Sequence, residues 1–146
     1  MEINTTRFGS LEIEADDVIC FPEGLLGLDG CLDWVLLADA QNDALGWLQS
    51  ATRDDVALAV VSPRRFVPDY QVRVARREIV PLALDPIDSA HVLVIVSKNE
   101  RSITLNLRAP LMINLAHRVG RQVVTASDEP LQYELGYAPM PWKKIA

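Results

Sequence analysis

The strongest constraint on this chain is a rhythm. Short apolar or alternating runs, WVLLA at Trp34–Ala38, LGWLQS at Leu45–Ser50 and VALAVVS at Val56–Ser62, are cut apart by the polar clusters DAQND and ATRDD. Asp, Asn and Thr bond to their own backbone and favour turns, so each run stops before a helix of several turns has room to form. The opening follows the same pattern: Leu11 and Ile13 alternate with Glu12 and Glu14, the period of a half-buried strand, and Gly9-Ser10 offers the turn before it. HVLVIVS and SITLNL flank KNER as a hairpin, with Asn99 suited to a left-handed turn position. LMINLA and RQVVTA extend the series around Gly120.

Two segments break the rhythm. ARREIVPLAL, Ala75–Leu84, is the best helix candidate, and Pro81 restricts it to about two turns because proline removes a backbone donor. PRRFVPDYQVRV carries two prolines, which favour an edge strand there. The reading is an all-β fold, a compact antiparallel β-barrel-like single domain with one or two short helices. It spans residues 1–126; residues 127–146, rich in proline and aromatics without a period, form an irregular tail whose aromatics are available to cover a sheet edge.

Composition narrows the function. The chain is 49% hydrophobic, yet its longest apolar run, around Val92–Val96, is of strand length, far short of the roughly 20 residues that span a bilayer. Neither a membrane nor export is expected, since Glu2 stands where a secretory leader carries basic residues. Two cysteines, Cys20 and Cys31, cannot make a tetrahedral zinc site and suit a reducing, cytoplasmic compartment. A net charge of -6 disfavours direct nucleic-acid binding, which draws its energy from cations meeting phosphates. The same charge would steer a basic protein partner.

Catalytic constellations are missing from the text. The only histidines are His91, opening an apolar strand, and His117, beside a turn. There is no nucleophile elbow, phosphate loop or His-Glu-x-x-His word. The carboxylate pairs Asp16-Asp17, Asp54-Asp55 and Asp128-Glu129 fall in turns or at strand ends, where neighbours point apart and solvation is their ordinary fate. No enzyme, cofactor or metal is expected. The alternative is a small carboxylate-using hydrolase or sugar-binding barrel with Trp34 or Trp47 in a cleft.

Several unusual words remain, in order: RFGSLEI, FPEGLLGL at Phe21–Leu28, WLQS at Trp47–Ser50, PDY at Pro68–Tyr70, LVIV at Leu93–Val96 and TLNLRAPLMIN at Thr104–Asn114. With this ordered set the chain resembles the flagellar assembly factor family, FliW, over about residues 1–125. The resemblance implies a β-barrel-like, non-enzymatic cytoplasmic regulator. It further implies binding to the carbon storage regulator CsrA, a small RNA-binding translational repressor, and capture by newly made flagellin, which links flagellin level to flagellin translation.

Two of these words hold the candidate contact residues. In FPEGLLGL, Phe21 is an inward anchor, Pro22 fixes the backbone, Gly24 and Gly27 permit angles that side chains oppose, and Leu25 continues the apolar surface. Glu23 discriminates a contact surface from a plain turn, because a turn has no need of its charge. In PDY, Asp69 is suited to cap backbone donors and Tyr70 to pack at the sheet edge. In TLNLRAPLMIN, Asn106 and Asn114 are expected to bond to backbone, with Pro110 at a strand start or bulge.

Overall fold

The computed structural model describes residues 1–84, 90–100 and 102–135. Two short strands, β1 (Glu2–Thr5) and β2 (Gly9–Glu12), form a hairpin of their own. Next come β3 (Val18–Cys20), β4 (Asp33–Ala38), β5 (Gly46–Ser50) and β6 (Ala57–Val61), each antiparallel to the one before. After α1 (Arg76–Ile79) follow β7 (His91–Lys98), β8 (Ile103–Leu105), β9 (Leu111–Asn114), β10 (Val119–Gln122) and β11 (Tyr133–Glu134).

The ring closes through β7. Its first residues pair with β9, its middle with β6 and its end with β8, so seven strands, β3-β4-β5-β6-β7-β9-β10, run round to β3 again. Ring closure removes the open edges that a flat sheet would offer to other chains. All ladders are antiparallel except the seam between β3 and β10, a single parallel pairing of Cys20 with Val119. The all-β barrel expected from the rhythm is therefore the fold.

Burial on both faces explains why β4 and β9 read as continuous apolar runs. Trp34 points into the barrel with Ile19, Phe21, Leu48, Val60, Leu111 and Ile113, while its neighbour Val35 packs outward under the β1–β2 hairpin with Ile3 and Ile13. On β9, Leu111 and Ile113 face the barrel core; Met112, between them, meets Ile79, Leu82 and Val123 beneath α1. A further cluster of Val61, Tyr70, Val94, Leu105 and Leu107 joins the β7–β8 ribbon to the crossing segment before α1.

Three local expectations need correction. The first hairpin turns at Thr6–Phe8, not at Gly9-Ser10. Gly9 ends the turn at φ 75° and pairs with Thr5, a left-handed position that glycine adopts without a Cβ clash. No strand forms in PRRFVPDYQVRV: Pro63–Arg65 is a 3-10 turn, and the alternating Val72 and Val74 lie on irregular backbone whose donor at Arg73 goes to the Thr125 hydroxyl at 2.9 Å. Asn99 serves its hairpin through its side chain, which accepts from the Ser102 N–H at 2.8 Å.

The helix, by contrast, matches expectation, with α1 and a 3-10 turn over Val80–Leu82 stopping around Pro81. Within the segment set apart as a tail, Tyr133 and Glu134 pair with the outer edge of β8; residues 136–146, with their tryptophan, lie outside the described residues.

Candidate partner-binding surface

Phe21 follows directly on β3 and is fully buried. Its N–H donates to the Leu32 carbonyl at 2.7 Å, and its carbonyl accepts from Gly24 at 2.8 Å, closing a first turn over Pro22 and Glu23. Two more turns follow at once, Leu28 N–H to Leu25 O at 3.0 Å and Cys31 N–H to Leu28 O at 3.2 Å. Their third residues are Gly27 and Gly30, at φ 82° and 86°, backbone angles that would strain other residues. The loop is thus three turns in series, rigid without any regular element.

Its outer end is tied across the molecule. The Gln122 side chain accepts from the Leu26 N–H at 2.8 Å and donates to the Ala109 carbonyl at 3.1 Å. One glutamine on β10 therefore fixes FPEGLLGL to the NLRAP segment. Leu25 is buried, whereas Leu26 is 70% exposed and Glu23 is exposed with no ion pair among the described residues. A rigid loop that holds out one leucine and one uncompensated carboxylate has a low ordering cost for binding.

PDY lies elsewhere. Tyr70 is buried, its hydroxyl donating to the Leu107 carbonyl at 2.6 Å, and burial followed by the charge of Glu129 pushes its phenol well above the ordinary range. Asp69 is exposed and caps no backbone donor among the described residues. The two words meet only indirectly, both anchored on residues 107–109. Asn106 and Asn114 behave as expected: the first accepts from Ala109 N–H at 3.0 Å, and the second donates to the Leu82 carbonyl at 2.8 Å. Pro110 stands immediately before β9.

His91 is the exposed first residue of β7 and His117 an exposed turn residue. Asp17 accepts from the Glu14 N–H at 2.7 Å. Cys20 and Cys31 are free thiols; burial, then the charge and hydrogen bond of Asp33, pushes the Cys20 thiol up, which makes it a poor nucleophile. No group of three or more His, Cys, Asp or Glu able to hold a metal occurs among the described residues. No helix there is long and apolar enough to cross a membrane.

Two features escaped the sequence reading. In WLQS, Leu48, Gln49 and Ser50 are buried, but Trp47 is half-exposed and held from three sides. The Arg7 guanidinium stacks 4.4 Å from its ring centre, Phe8 meets it edge-on at 5.8 Å, and its N–H donates to Asp39 at 2.9 Å. That bond, with the Gln41 and Asn42 amides, draws the Asp39 carboxyl below its ordinary range. Beside the ring runs a groove of about 900 Å³, shaped by the small Ala59, which pairs with Trp47, and by Val96. Arg7 and Trp47 lie 40 positions apart, so only the fold reveals the stack.

The second feature is where the charge sits. Between Phe8 and Thr52 there are nine acidic residues and no lysine or arginine, which leaves all 14 cations with the other 11 acids. These acids lie on and around the neighbouring strands β3, β4 and β5 and on the β1–β2 hairpin, with Glu23 on the loop after β3; Arg7 over Trp47 and Arg118 on the Asp17 carbonyl are cations that reach this side.

With this geometry in place, comparison with known proteins is decisive. The model of the FliW protein family matches residues 2–135. The chain belongs to the FliW family. The flagellar assembly factor FliW of Thermoanaerobacter pseudethanolicus is 34% identical over 134 residues, covering 90% of this chain and 89% of that protein. The FliW of Bdellovibrio bacteriovorus is 36% identical over 126 residues, 85% of this chain and 72% of its own. A crystal structure of the flagellar assembly factor FliW superimposes with a TM-score of 0.86 over 96% of this chain at 24% identity, a likeness of fold. The FliW match extends past the last recognised word, through β11.

Proposed function

We propose that this FliW-family chain is a non-enzymatic, cytoplasmic regulator that binds CsrA and is itself captured by flagellin, so that free flagellin sets how much CsrA is left to repress translation. The family of flagellar assembly factors supports the setting. The observation that carries the CsrA half is the acidic side from Phe8 to Thr52 with the rigid loop at Phe21–Leu25 standing on it. An RNA-binding repressor is basic where it meets phosphates, and a negative surface docked beside it repels RNA within about one Debye length, roughly 8 Å at physiological salt.

In this reading Phe21 anchors the loop from inside, Pro22 and Gly24 set its path, and Glu23 and Leu26 make the contact. Asp69 and Tyr70 serve differently: Tyr70 holds the shape of residues 107–109 against which the loop is tied, and Asp69 stays on the periphery. The test is a calorimetric titration of the protein with the CsrA of its own organism, repeated after saturation with flagellin. Heat that appears in the first titration and vanishes in the second supports the exchange. Absence of heat for both partners, at two temperatures and two salt concentrations, refutes it.

A further inference from the structure

A protein of net charge -6 keeps one strongly basic face. Arg64, Arg65, Arg73, Arg76 and Arg77 fall within residues 64–77, are all exposed, and share that stretch with a single acid, Asp69. Among the described residues none of the five forms an ion pair. The α1 carboxylate, Glu78, is taken by Arg121 at 3.0 Å, and Arg65, Arg73, Arg76 and Arg77 make no ion pair or side-chain hydrogen bond among the described residues. Arg64 donates its Nε to the Tyr70 carbonyl at 2.9 Å, which fixes the guanidinium; among the described residues its two Nη groups make no hydrogen bond.

Arg64 stands at the rim of a pocket of about 470 Å³ together with Ser62 and His91, over an aliphatic floor that includes Val72, Val92 and Met112. The aromatic rings among its lining residues are Tyr70, which is buried with its hydroxyl committed to Leu107, and the imidazole of His91. This decides between two classes of anionic partner. A nucleic acid would want a row of aromatic planes on which to stack successive bases, and the pocket offers one exposed imidazole in an otherwise mostly aliphatic lining. A peptide that sets carboxylates beside an aliphatic side chain finds arginine forks for the former and the pocket for the latter.

We propose that the arginine face of residues 64–77, with its aliphatic pocket, docks an acidic segment of a protein partner that carries a leucine-like side chain between its carboxylates. This face is separate from the acidic β3–β5 side and calls for the opposite partner charge, so it does not depend on which protein occupies that side.

The probes are a labelled peptide of repeated Glu-Leu-Glu-Glu, its Lys-Leu-Lys-Lys counterpart and an oligouridylate of equal length, followed by fluorescence anisotropy at physiological salt. The acidic peptide is expected to bind saturably and the other two not. Charge reversal at Arg73→Glu, Arg76→Glu and Arg77→Glu together should weaken it about tenfold, since each exposed pair contributes roughly a factor of two. Ser62→Trp, which fills the pocket, should weaken it independently; Glu23→Ala should leave it unchanged. Circular dichroism checks that each variant is folded, and Arg77→Ala alone, expected to lose about twofold, replaces the triple variant if that one is not. No saturable binding of the acidic peptide, tighter binding of the oligouridylate, or undiminished binding by the folded charge variants overturns the proposal.

Discussion

Gly120 is the position where a single methyl group should be felt most. It is buried on β10, and a Cβ built there falls 2.6 Å from both Cε2 and Cζ of Phe21. Carbon atoms rest about 3.5–4.0 Å apart, so in Gly120→Ala the ring or the strand must yield by roughly 1 Å. The ring has little freedom: Phe21 is fully buried among Ile19, Trp34 and Ile113, and its backbone is fixed by the bonds to Leu32 and Gly24. Overpacking of this kind costs about 1–3 kcal/mol, while replacing glycine at an ordinary backbone angle returns about 0.4–1 kcal/mol by restricting the unfolded chain. The expected net loss is about 1–2 kcal/mol, or several degrees in Tm for a chain of this size. Urea unfolding of the wild type, Gly120→Ala, Phe21→Leu and the double variant measures it. Because Phe21→Leu removes the atoms that collide, the two losses should be clearly less than additive. Additive losses, or a Gly120→Ala that is as stable as wild type with the same m-value, would refute the account of this contact.

Three further outcomes follow from the same geometry. Glu23→Ala should keep the wild-type Tm, because the carboxylate is exposed and unpaired among the described residues, yet weaken CsrA binding by a few-fold in calorimetry; equal affinity removes this charge from the interface. Tyr70→Phe should cost about 1–3 kcal/mol by leaving the buried Leu107 carbonyl without its donor, measured by urea unfolding. The phenol of Tyr70 is raised by burial, so above the ordinary value of about 10 the unfolded chain gives up this proton while the folded one keeps it; wild-type stability then falls with rising pH, and Tyr70→Phe lacks that component. The Asp39 carboxyl is lowered chiefly by the Trp47 indole, so its contribution persists until pH falls through a value below the usual carboxylate range. Tryptophan emission should change at that low pH in the wild type and show no such step in Asp39→Asn.

How much of this was readable in advance depended on distance along the chain. The strands from Trp34 to Val61 were legible because a period of two is a local property and their turns are built from nearby side chains, Asp39 and Asn42 in the first and Ser50 in the second. The edge strand read from the two prolines of PRRFVPDYQVRV did not form, because the backbone partners of Arg73 come from Thr125 and Ala126 through a hydroxyl and a single bond, not from a ladder. The inward anchor Phe21 was visible from its place after a strand; the tether that shapes its loop was not, since Gln122 lies 96 residues from Leu26. The same holds for Arg7 over Trp47, and for the arginine face, whose meaning depends on which cations the fold leaves unpaired.

The lone parallel seam between β3 and β10 sets a clock. Its two strands are separated in sequence by all the strands from β4 to β9, and antiparallel neighbours β3 to β6 can zip in succession as they leave the ribosome, whereas the seam must wait for residues 118–122. Until then Cys20 lacks its Arg118 acceptor, Phe21 lacks the glycine floor beneath its ring, and Leu26 lacks Gln122. The loop therefore acquires its final shape only after residues 118–122 have been made. A nascent chain that lacks β10, although already rich in sheet, would present partners with an unformed surface, so only molecules with the seam closed would count in any titration of one partner against another.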